Sequence, residues 1–392
     1  MDDETRLASA GRAPRDFHGA VNVPVYHAST ILYPSLDALE AMHLRREEDD
    51  SRDVTYGRSG TPTSYAFEDA VAELEGGYRT LSFPSGLAAI GAALLAFLKA
   101  GDHLLVSDSV YAPTRAFCDH VLRRFGVETT YYDPLIGAGI AALMRPDTAA
   151  VFVESPGSVT FEVQDVPAIA AVAHDRGALV LMDNTWASPL YFKPFEHGVD
   201  VAIQAATKYI VGHSDAMLGT VTASKAVWPK LRRSVRAQGL CAGPDDLYLG
   251  LRGLRTLAVR LARHQETGLV LARWLKLRPE VARVLHPALP DDPGHALWQR
   301  DFRGASGLFA IELKPVPRAA LALMLDGLEH FGMGYSWGGY ESLIVPQHPE
   351  KIRTIRPWTA AGPLLRIHAG LESPEDLIAD LERGFARLGQ AR

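Results

Sequence analysis

The sequence predicts an α/β chain: a mostly parallel seven-stranded sheet with flanking helices, a smaller C-terminal α+β domain and an N-terminal arm. Three observations predict it. Short, continuous apolar runs alternate with amphipathic stretches from about residue 64 to residue 224, the pattern of parallel strands covered on both faces. The alternation stops after an arginine-rich helical stretch, Tyr248–Leu275, beyond which strands and helices mix. At 392 residues the chain is also longer than one ordinary domain.

In chain order, residues 1–58 read as an arm with scattered Pro and Gly, one helical run (Ser35–Arg46) and a charged run, Arg45–Asp53, expected to be a solvated loop. Residues 59–255 form the large domain. Its strands are expected at Thr80–Phe83, His103–Ser107, Glu128–Tyr132, Ala149–Glu154, Ala178–Met182, Val199–Gln204 and Gly219–Ser224, with helices such as Thr114–Phe125 and Pro167–Arg176 between them. Residues 256–392 form the smaller domain, with strands Gly307–Leu313, Leu343–Val345 and Leu364–His368 and helices Arg318–Phe331 and Pro374–Leu388. Ser373-Pro374-Glu375-Asp376 opens the last helix with a cap, a first-turn Pro and acids near the positive end of the helix dipole.

Composition narrows the function classes. Hydrophobic content of 47% and charged content of 22% fit a soluble globular chain. A net charge of −6 argues against a nucleic-acid binder, which needs a basic surface. Two cysteines, Cys118 and Cys241, are too few for a disulfide framework and fit a reducing cytoplasm. The acidic start Met1-Asp2-Asp3-Glu4 lacks the apolar segment of a signal peptide, and the run Leu87–Leu98 is too short to span a bilayer. The expectation is a cytoplasmic protein acting on a small molecule, away from membranes and nucleic acid.

The chemistry lies at predicted strand ends. The strand Ala178–Met182 runs into Asp183-Asn184-Thr185, and the run Val199–Ala205 into Ala206-Thr207-Lys208-Tyr209. A strand-end aspartate and a strand-end lysine are what pyridoxal phosphate requires: the lysine carries the aldehyde carbon, and the aspartate keeps the ring nitrogen protonated. Such sites gather at the carboxyl ends of parallel strands, and Ser85, Tyr111, Asp183 and Lys208 all fall there. Phe83-Pro84-Ser85-Gly86-Leu87 reads as a strand-to-helix turn whose free N–H groups suit a phosphate, although alone it is better read as an ordinary turn. Tyr56-Gly57-Arg58 in the arm could clamp a phosphate in a neighbouring subunit. Tyr111 could stack on a ring or move a proton if its pKa falls. Tyr335-Ser336-Trp337-Gly338-Gly339-Tyr340-Glu341-Ser342 could wall a substrate site. Arg366, inside an apolar strand, needs a partner, either a substrate carboxylate or an internal acid. Gly137-Ala138-Gly139-Ile140-Ala141-Ala142 matches a dinucleotide fingerprint but follows Asp133-Pro134 rather than a first βαβ strand, so it is expected to open a plain helix. No metal-ligand motif is present, and His27 and His213 stand alone.

Taken together, Tyr56-Gly57-Arg58, Ser85-Gly86-Leu87, Asp183-Asn184-Thr185, Thr207-Lys208-Tyr209, Gly212-His213-Ser214-Asp215, Arg252–Leu257 and Arg366-Ile367-His368 resemble the fold-type-I pyridoxal-phosphate enzymes of cysteine and methionine metabolism, from about Val23 to the C-terminal helix. Ala112-Pro113-Thr114 after Tyr111, Trp186 after Asn184-Thr185, and the Ser336–Ser342 loop resemble the branch of β-lyases rather than γ-type members. Ala205 departs from the Ser of many relatives, which puts one phosphate donor in doubt. The resemblance implies that Lys208 holds the cofactor and Asp183 its ring nitrogen. It implies Gly86, Leu87 and Thr207 at the phosphate, with Tyr56 and Arg58 from a partner chain, and Tyr111 over the ring. It implies Arg366, Ser336, Trp337 and Tyr56 at the substrate, with Lys208 and Tyr111 as proton carriers, in a homotetramer built of dimers. The implied activity is α,β-elimination of L-cystathionine to homocysteine, pyruvate and ammonia. A broader cysteine-S-conjugate β-lyase or cysteine desulfhydrase, a γ-lyase or γ-synthase, and a non-catalytic relative keeping the fold are the alternatives.

Overall fold

The seven apolar runs fold as β1 (Arg79–Phe83), β2 (His103–Ser107), β3 (Glu128–Tyr132), β4 (Thr148–Glu154), β5 (Leu179–Asp183), β6 (Val201–Gln204) and β7 (Gly219–Ala223) in a computed structural model that describes residues 1–46 and 52–390. Residues 47–51 of the charged run in the arm lie outside the described residues. The sheet order is β1-β7-β6-β5-β4-β2-β3. Parallel pairing joins β6, β5, β4, β2 and β3, and β7 alone runs against its neighbours β6 and β1. Because β7 is reversed between them, β1 runs in the same sense as β6, and its carboxyl end joins the others on one edge.

Both faces of this sheet are covered, as the unbroken apolar strands require. One face buries Leu104, Val106, Phe152, Leu181, Val201 and Val221 under the helices Gly86–Phe97 and Trp228–Gln238. The other buries Leu105, Val151, Val153, Val180 and Met182 against the helix Val166–Asp175 and residues near 302–310. A five-stranded sheet follows: β8 (Val281–Leu285), β9 (Leu308–Leu313), β10 (Phe331–Gly332), β11 (Ser342–Gln347) and β12 (Leu364–His368), in the order β10-β11-β12-β9-β8. The helices Leu257–Lys276 and Pro374–Gln390 pack on it through Leu271, Leu275, Leu377, Leu381 and Phe385.

Several expectations need correction. The helix expected over Arg318–Phe331 stops at Asp326, before Gly327, and Phe331 belongs to β10. β8 carries Arg283 on an exposed edge and so lacks the apolar signature of a strand. Thr114–Phe125 divides into the helix Ala112–His120 and a 3-10 turn, Leu122–Phe125. Gly137–Leu143 forms a 3-10 helix rather than an α-helix. The arm also holds a helix over Asp3–Ser9, tied down by the ion pair of Asp3 with the buried Lys193 at 2.8 Å.

Candidate active site

The strand ends assemble a cleft. Asp183 closes β5, and Glu154, which closes β4, is its register partner in the adjacent parallel strand. Asp183 is buried and accepts its hydrogen bonds from Thr185, through the backbone N–H at 3.0 Å and the hydroxyl at 2.5 Å, both at Oδ1. Oδ2 takes neither bond. The Thr185 hydroxyl in turn accepts the N–H of Ala205 at 2.9 Å, which joins the end of β5 to the chain leaving β6. Burial raises the carboxyl pKa of Asp183 against the opposing bonds from Thr185 and the charge of Lys208.

Lys208 lies on the turn after β6. Its backbone N–H donates to Ala205 O at 3.0 Å, and its carbonyl accepts from Gly212 at 2.8 Å. Gly212 has φ +71° and packs so closely on the Arg260 guanidinium that no side chain would fit there. Arg260, buried, donates to Tyr209 O at 2.7 Å, Gly253 O at 2.8 Å and Ile210 O at 3.3 Å, which fixes the turn from beneath. Burial, with the charge of Arg366, lowers the Lys208 ammonium to about 8, and Asp183 pulls the other way. Its Nζ donates to Ser336 Oγ at 2.6 Å and lies 5.4 Å from the Trp337 ring centroid.

Ser336 comes from the loop between β10 and β11 and holds a left-handed backbone, φ +79°, a strained conformation typical of functional loops. Its carbonyl accepts from Arg366 Nη2 at 3.0 Å. Among the described residues no carboxylate pairs with Arg366, so the competing internal acid foreseen from the sequence is absent. Its guanidinium keeps donors for a planar anion. Tyr111, 43% exposed, begins the helix Ala112–His120, and its backbone N–H donates to Glu154 Oε2 at 2.7 Å. Burial, then Asp183 and Glu154, raise the Tyr111 phenol, and the lowered pKa that a tyrosinate base would need is not met. It remains a proton donor.

At the phosphate-type turn, Ser85 caps the helix Gly86–Phe97 by accepting from Ala88 N at 3.1 Å. Gly86 and Leu87, the first two helical residues, point N–H groups with no intrahelical acceptor out of the turn. A Cβ on Gly86 would stand 2.6 Å from the Cβ of Ala205, so the glycine brings this helix end against the Lys208 turn. The Thr207 hydroxyl already donates to Leu218 O at 3.1 Å and accepts from Leu218 N at 2.9 Å. The sequence-level suggestion of a phosphate donor there therefore requires its proton to leave Leu218.

Tyr56 and Arg58 are not brought to this cleft. Arg58 donates to Arg236 O at 3.3 Å, and both residues line a separate cavity of about 470 Å³ whose walls include none of Lys208, Asp183, Tyr111 or Arg366. Sequence reasoning missed Glu154 and gave no role to Thr185 and His368, although both stood in the motifs it singled out. Glu154 carried the same signal as Asp183, an acid closing an apolar parallel strand.

These residues fit pyridoxal phosphate on the structure's own terms. Among the described residues a buried carboxylate keeps one oxygen clear of protein bonds, a lysine of lowered pKa interacts with it, and the first turn of the helix Gly86–Phe97 meets the turn that carries that lysine. Gly86 leaves room where a side chain would collide.

Comparison with known proteins bears on the same residues. The model of the family described as Cys/Met metabolism PLP-dependent enzyme matches residues 4–386. The chain is similar to cystathionine beta-lyase MetC of Escherichia coli, 46% identical over 98% of this chain and 98% of that one. It is also similar to the L-alanine/L-glutamate racemase of Wolbachia pipientis, 42% identical over 99% of this chain and 98% of that one. Among solved structures it resembles cystathionine gamma synthase from Xanthomonas oryzae pv. oryzae in complex with cystathionine, with a TM-score of 0.90 and 33% identity over 100% of each chain.

Proposed function

The chain belongs to the Cys/Met metabolism PLP-dependent enzyme family, and on that premise we propose that it is a carbon–sulfur β-lyase cleaving L-cystathionine to homocysteine, pyruvate and ammonia by α,β-elimination. The fold is fold type I, and the cofactor is pyridoxal phosphate. The observation that carries the reading is full-length similarity to a cystathionine beta-lyase, 46%, against 33% to a γ-synthase.

Bound pyridoxal phosphate supplies an electron sink for the charge left at the substrate's α-carbon. The chain's own residues do the rest. Arg366 binds the α-carboxylate with two parallel N–H groups and is itself steadied by Ser336 O, so the α-C–H is presented in one orientation. Lys208, with its pKa lowered to about 8, is partly neutral near pH 7–8 and takes the α-proton. Ser336 Oγ, 2.6 Å from Nζ, holds the amine on that side of the cleft. The departing sulfur needs a proton, and Lys208 and the protonated Tyr111 phenol both stand ready to give one. Asp183, whose Oδ2 is left out of the Thr185 bonds, would hold the proton of the cofactor's ring nitrogen.

Tyr56 and Arg58 are proposed to serve a partner subunit's site in a cytoplasmic homotetramer. Their separation from Lys208 within one chain supports this. Mixing an Arg58→Ala chain with a Lys208→Ala chain tests it: hybrid dimers regain one intact site, and absence of any regained activity refutes the sharing.

The deciding experiment assays purified enzyme on L-cystathionine, L-cystine and L-cysteine. Pyruvate from cystathionine with the highest kcat/KM upholds the reading; higher values on the other two substrates make it a broader β-lyase. 2-Oxobutyrate makes it a γ-lyase, and interconversion of L- and D-alanine without pyruvate makes it a racemase. Lys208→Ala should lose both turnover and the visible absorbance of lysine-bound cofactor.

A further inference from the structure

Arg366 and His368 stand two residues apart on β12 and so face the same side of its sheet. Arg366 is the residue proposed above to bind the substrate carboxylate. His368 is buried, and its Nε2 lies 3.1 Å from both the N–H of Gly338 and the carbonyl of Gly339. That pair of glycines belongs to the loop carrying Ser336 and Trp337. The loop lies directly on the lysine: a Cβ on Gly338, at φ +90°, would stand 2.8 Å from the carbonyl carbon of Lys208 and 3.0 Å from its Cα.

The ring's tautomer follows from its neighbour. His264, also buried, has its Nδ1 2.8 Å from the carbonyl of Ala369, so this nitrogen carries the proton and donates. The Nε2 of His264 is then a bare acceptor, buried and without a partner, as is the Nδ1 of His368 on a ring 5.1 Å away. Leaving both nitrogens as acceptors would leave both without a proton to share. With its proton on Nδ1, His368 instead offers a donor in the same buried pocket as the unmet acceptor of His264, reached through one water. Its Nε2 is then free to accept from Gly338. The opposite tautomer would satisfy the Gly339 carbonyl, but it would set an N–H of the ring against the N–H of Gly338 and leave the two buried nitrogens of His264 and His368 without a proton between them. Burial, then His264 and the charges of Arg366 and Lys208, outweigh the Gly339 carbonyl, which favours the charged form, and keep the ring neutral.

We propose that His368 is a positioning residue of the lyase site: protonated at Nδ1, it accepts the Gly338 N–H and fastens the loop that holds Ser336 and Trp337 against Lys208. The chain of contacts is continuous. His368 fixes Gly338, Gly338 seats the loop on Lys208, Ser336 Oγ then meets Nζ, and Ser336 O meets Arg366. The amine and the carboxylate anchor are thereby placed by one loop, held from below by one ring. The reaction named here rests on the lyase reading, whereas the fastening does not.

Two variants test it. His368→Gln keeps an oxygen able to accept from Gly338, and His368→Leu fills similar space with no acceptor. Hydrogen exchange of the peptide containing Gly338 is followed in the apo and cofactor-loaded protein, beside kcat, KM and the melting temperature. In His368→Leu the Gly338 amide should exchange about tenfold faster, the loss of one net hydrogen bond. Its kcat/KM on L-cystathionine should fall about ten- to a hundredfold, as expected when reacting groups are displaced by about 1 Å. His368→Gln should stay within a few fold of wild type in both. Wild-type exchange in His368→Leu overturns the proposal. Equal damage in both variants also overturns it, because that marks a ring needed only for packing. If wild type leaves cystathionine intact, the lyase reading fails, and the exchange comparison still decides the role of His368.

Discussion

Two aspartates close neighbouring parts of the same sheet edge, and they have opposite fates. Asp108 follows β2 by one residue, and Asp183 ends β5. Both are buried, 1% and 7% exposed, so exposure does not separate them. Their partners do. Asp108 accepts from Arg115 at 2.6 Å, Arg353 at 3.1 Å, the backbone N–H groups of Thr354, Ile355 and Arg356 at 3.0–3.1 Å, and the Thr354 hydroxyl at 3.0 Å. Burial alone would raise its pKa. The N–H groups of Thr354 and Arg356, then the Arg353 and Thr354 side chains, outweigh burial and hold it at about 2. Among the described residues Asp183 accepts from Thr185 alone, and burial wins. A saturated buried acid is scaffold, and it pins the segment after residue 352 to the large sheet. An acid with acceptor capacity to spare is waiting for a ligand.

The sharpest way to break this contrast is to remove each carboxylate. Asp108→Ala should cost about 3–5 kcal/mol, because Arg115 is left buried with its carboxylate gone, Arg353 keeps Glu162 but loses Asp108, and the N–H groups of residues 354–356 lose their acceptor. Urea unfolding of the apo chain measures it, and a loss under 1 kcal/mol would mean that Asp108 is no anchor. Asp183→Asn should do the reverse. It removes a charge that burial penalises, so the apo chain should unfold at equal or higher urea, the usual exchange of stability against function. Its kcat/KM should fall at least about a hundredfold, about 2.7 kcal/mol of transition-state stabilisation. An Asp183→Asn enzyme that is both destabilised and active would dissolve the distinction.

The same contrast holds between two arginines. Arg353 is paired with Asp108 and with Glu162 at 3.0 Å, whereas among the described residues Arg366 has no carboxylate partner and donates to the carbonyl of Ser336. Arg366→Ala should leave the melting temperature nearly unchanged and lower kcat/KM about ten- to a hundredfold, the loss of charge-assisted bonds to a carboxylate. Steady-state kinetics beside a thermal melt checks both halves. Native kinetics would show that the substrate carboxylate binds elsewhere.

How much of this was legible in the sequence depends on what each residue must do locally. Strand positions in the large sheet follow from apolar runs, because burial on both faces leaves no alternative pattern. Asp183 and Lys208 stood out because each interrupts such a run at its end. Glu154 interrupts β4 in the same way, yet it passed as the polar close of a strand, since nothing in the sequence says that β4 and β5 are in register. Asp108 carries no such signal, because all its partners but Arg115 lie about 245 residues later in the chain. Arg366 was identified by its cost in an apolar strand, whereas His368, two residues on, was not, since a buried neutral histidine costs little. β8 was missed for the converse reason, being a real strand without an apolar pattern. Local periodicity reveals elements, and only tertiary pairing reveals which polar residues are satisfied.

The smallest expected effect is also the cleanest test of saturation, because it reads the charge of Asp108 and not its shape. A carboxyl held below its unfolded value of 3.8 stabilises the fold wherever the unfolded chain would bind a proton more readily than the native one. That stability is complete above about pH 4 and drains away as pH falls through the folded pKa near 2. The difference corresponds to about 2 kcal/mol. Asp183, whose pKa is raised, contributes with the opposite sign: its ionisation begins to penalise the fold as pH climbs above 3.8. Urea midpoints of the apo wild type and Asp108→Asn, taken between pH 2 and pH 5, subtract every carboxylate the two share. Wild type should lose stability more steeply on acidification, with the two curves converging toward pH 2. Parallel curves would mean that the N–H groups around Asp108 hold its shape and leave its charge unrewarded, and the line drawn between the two aspartates would then rest on geometry alone.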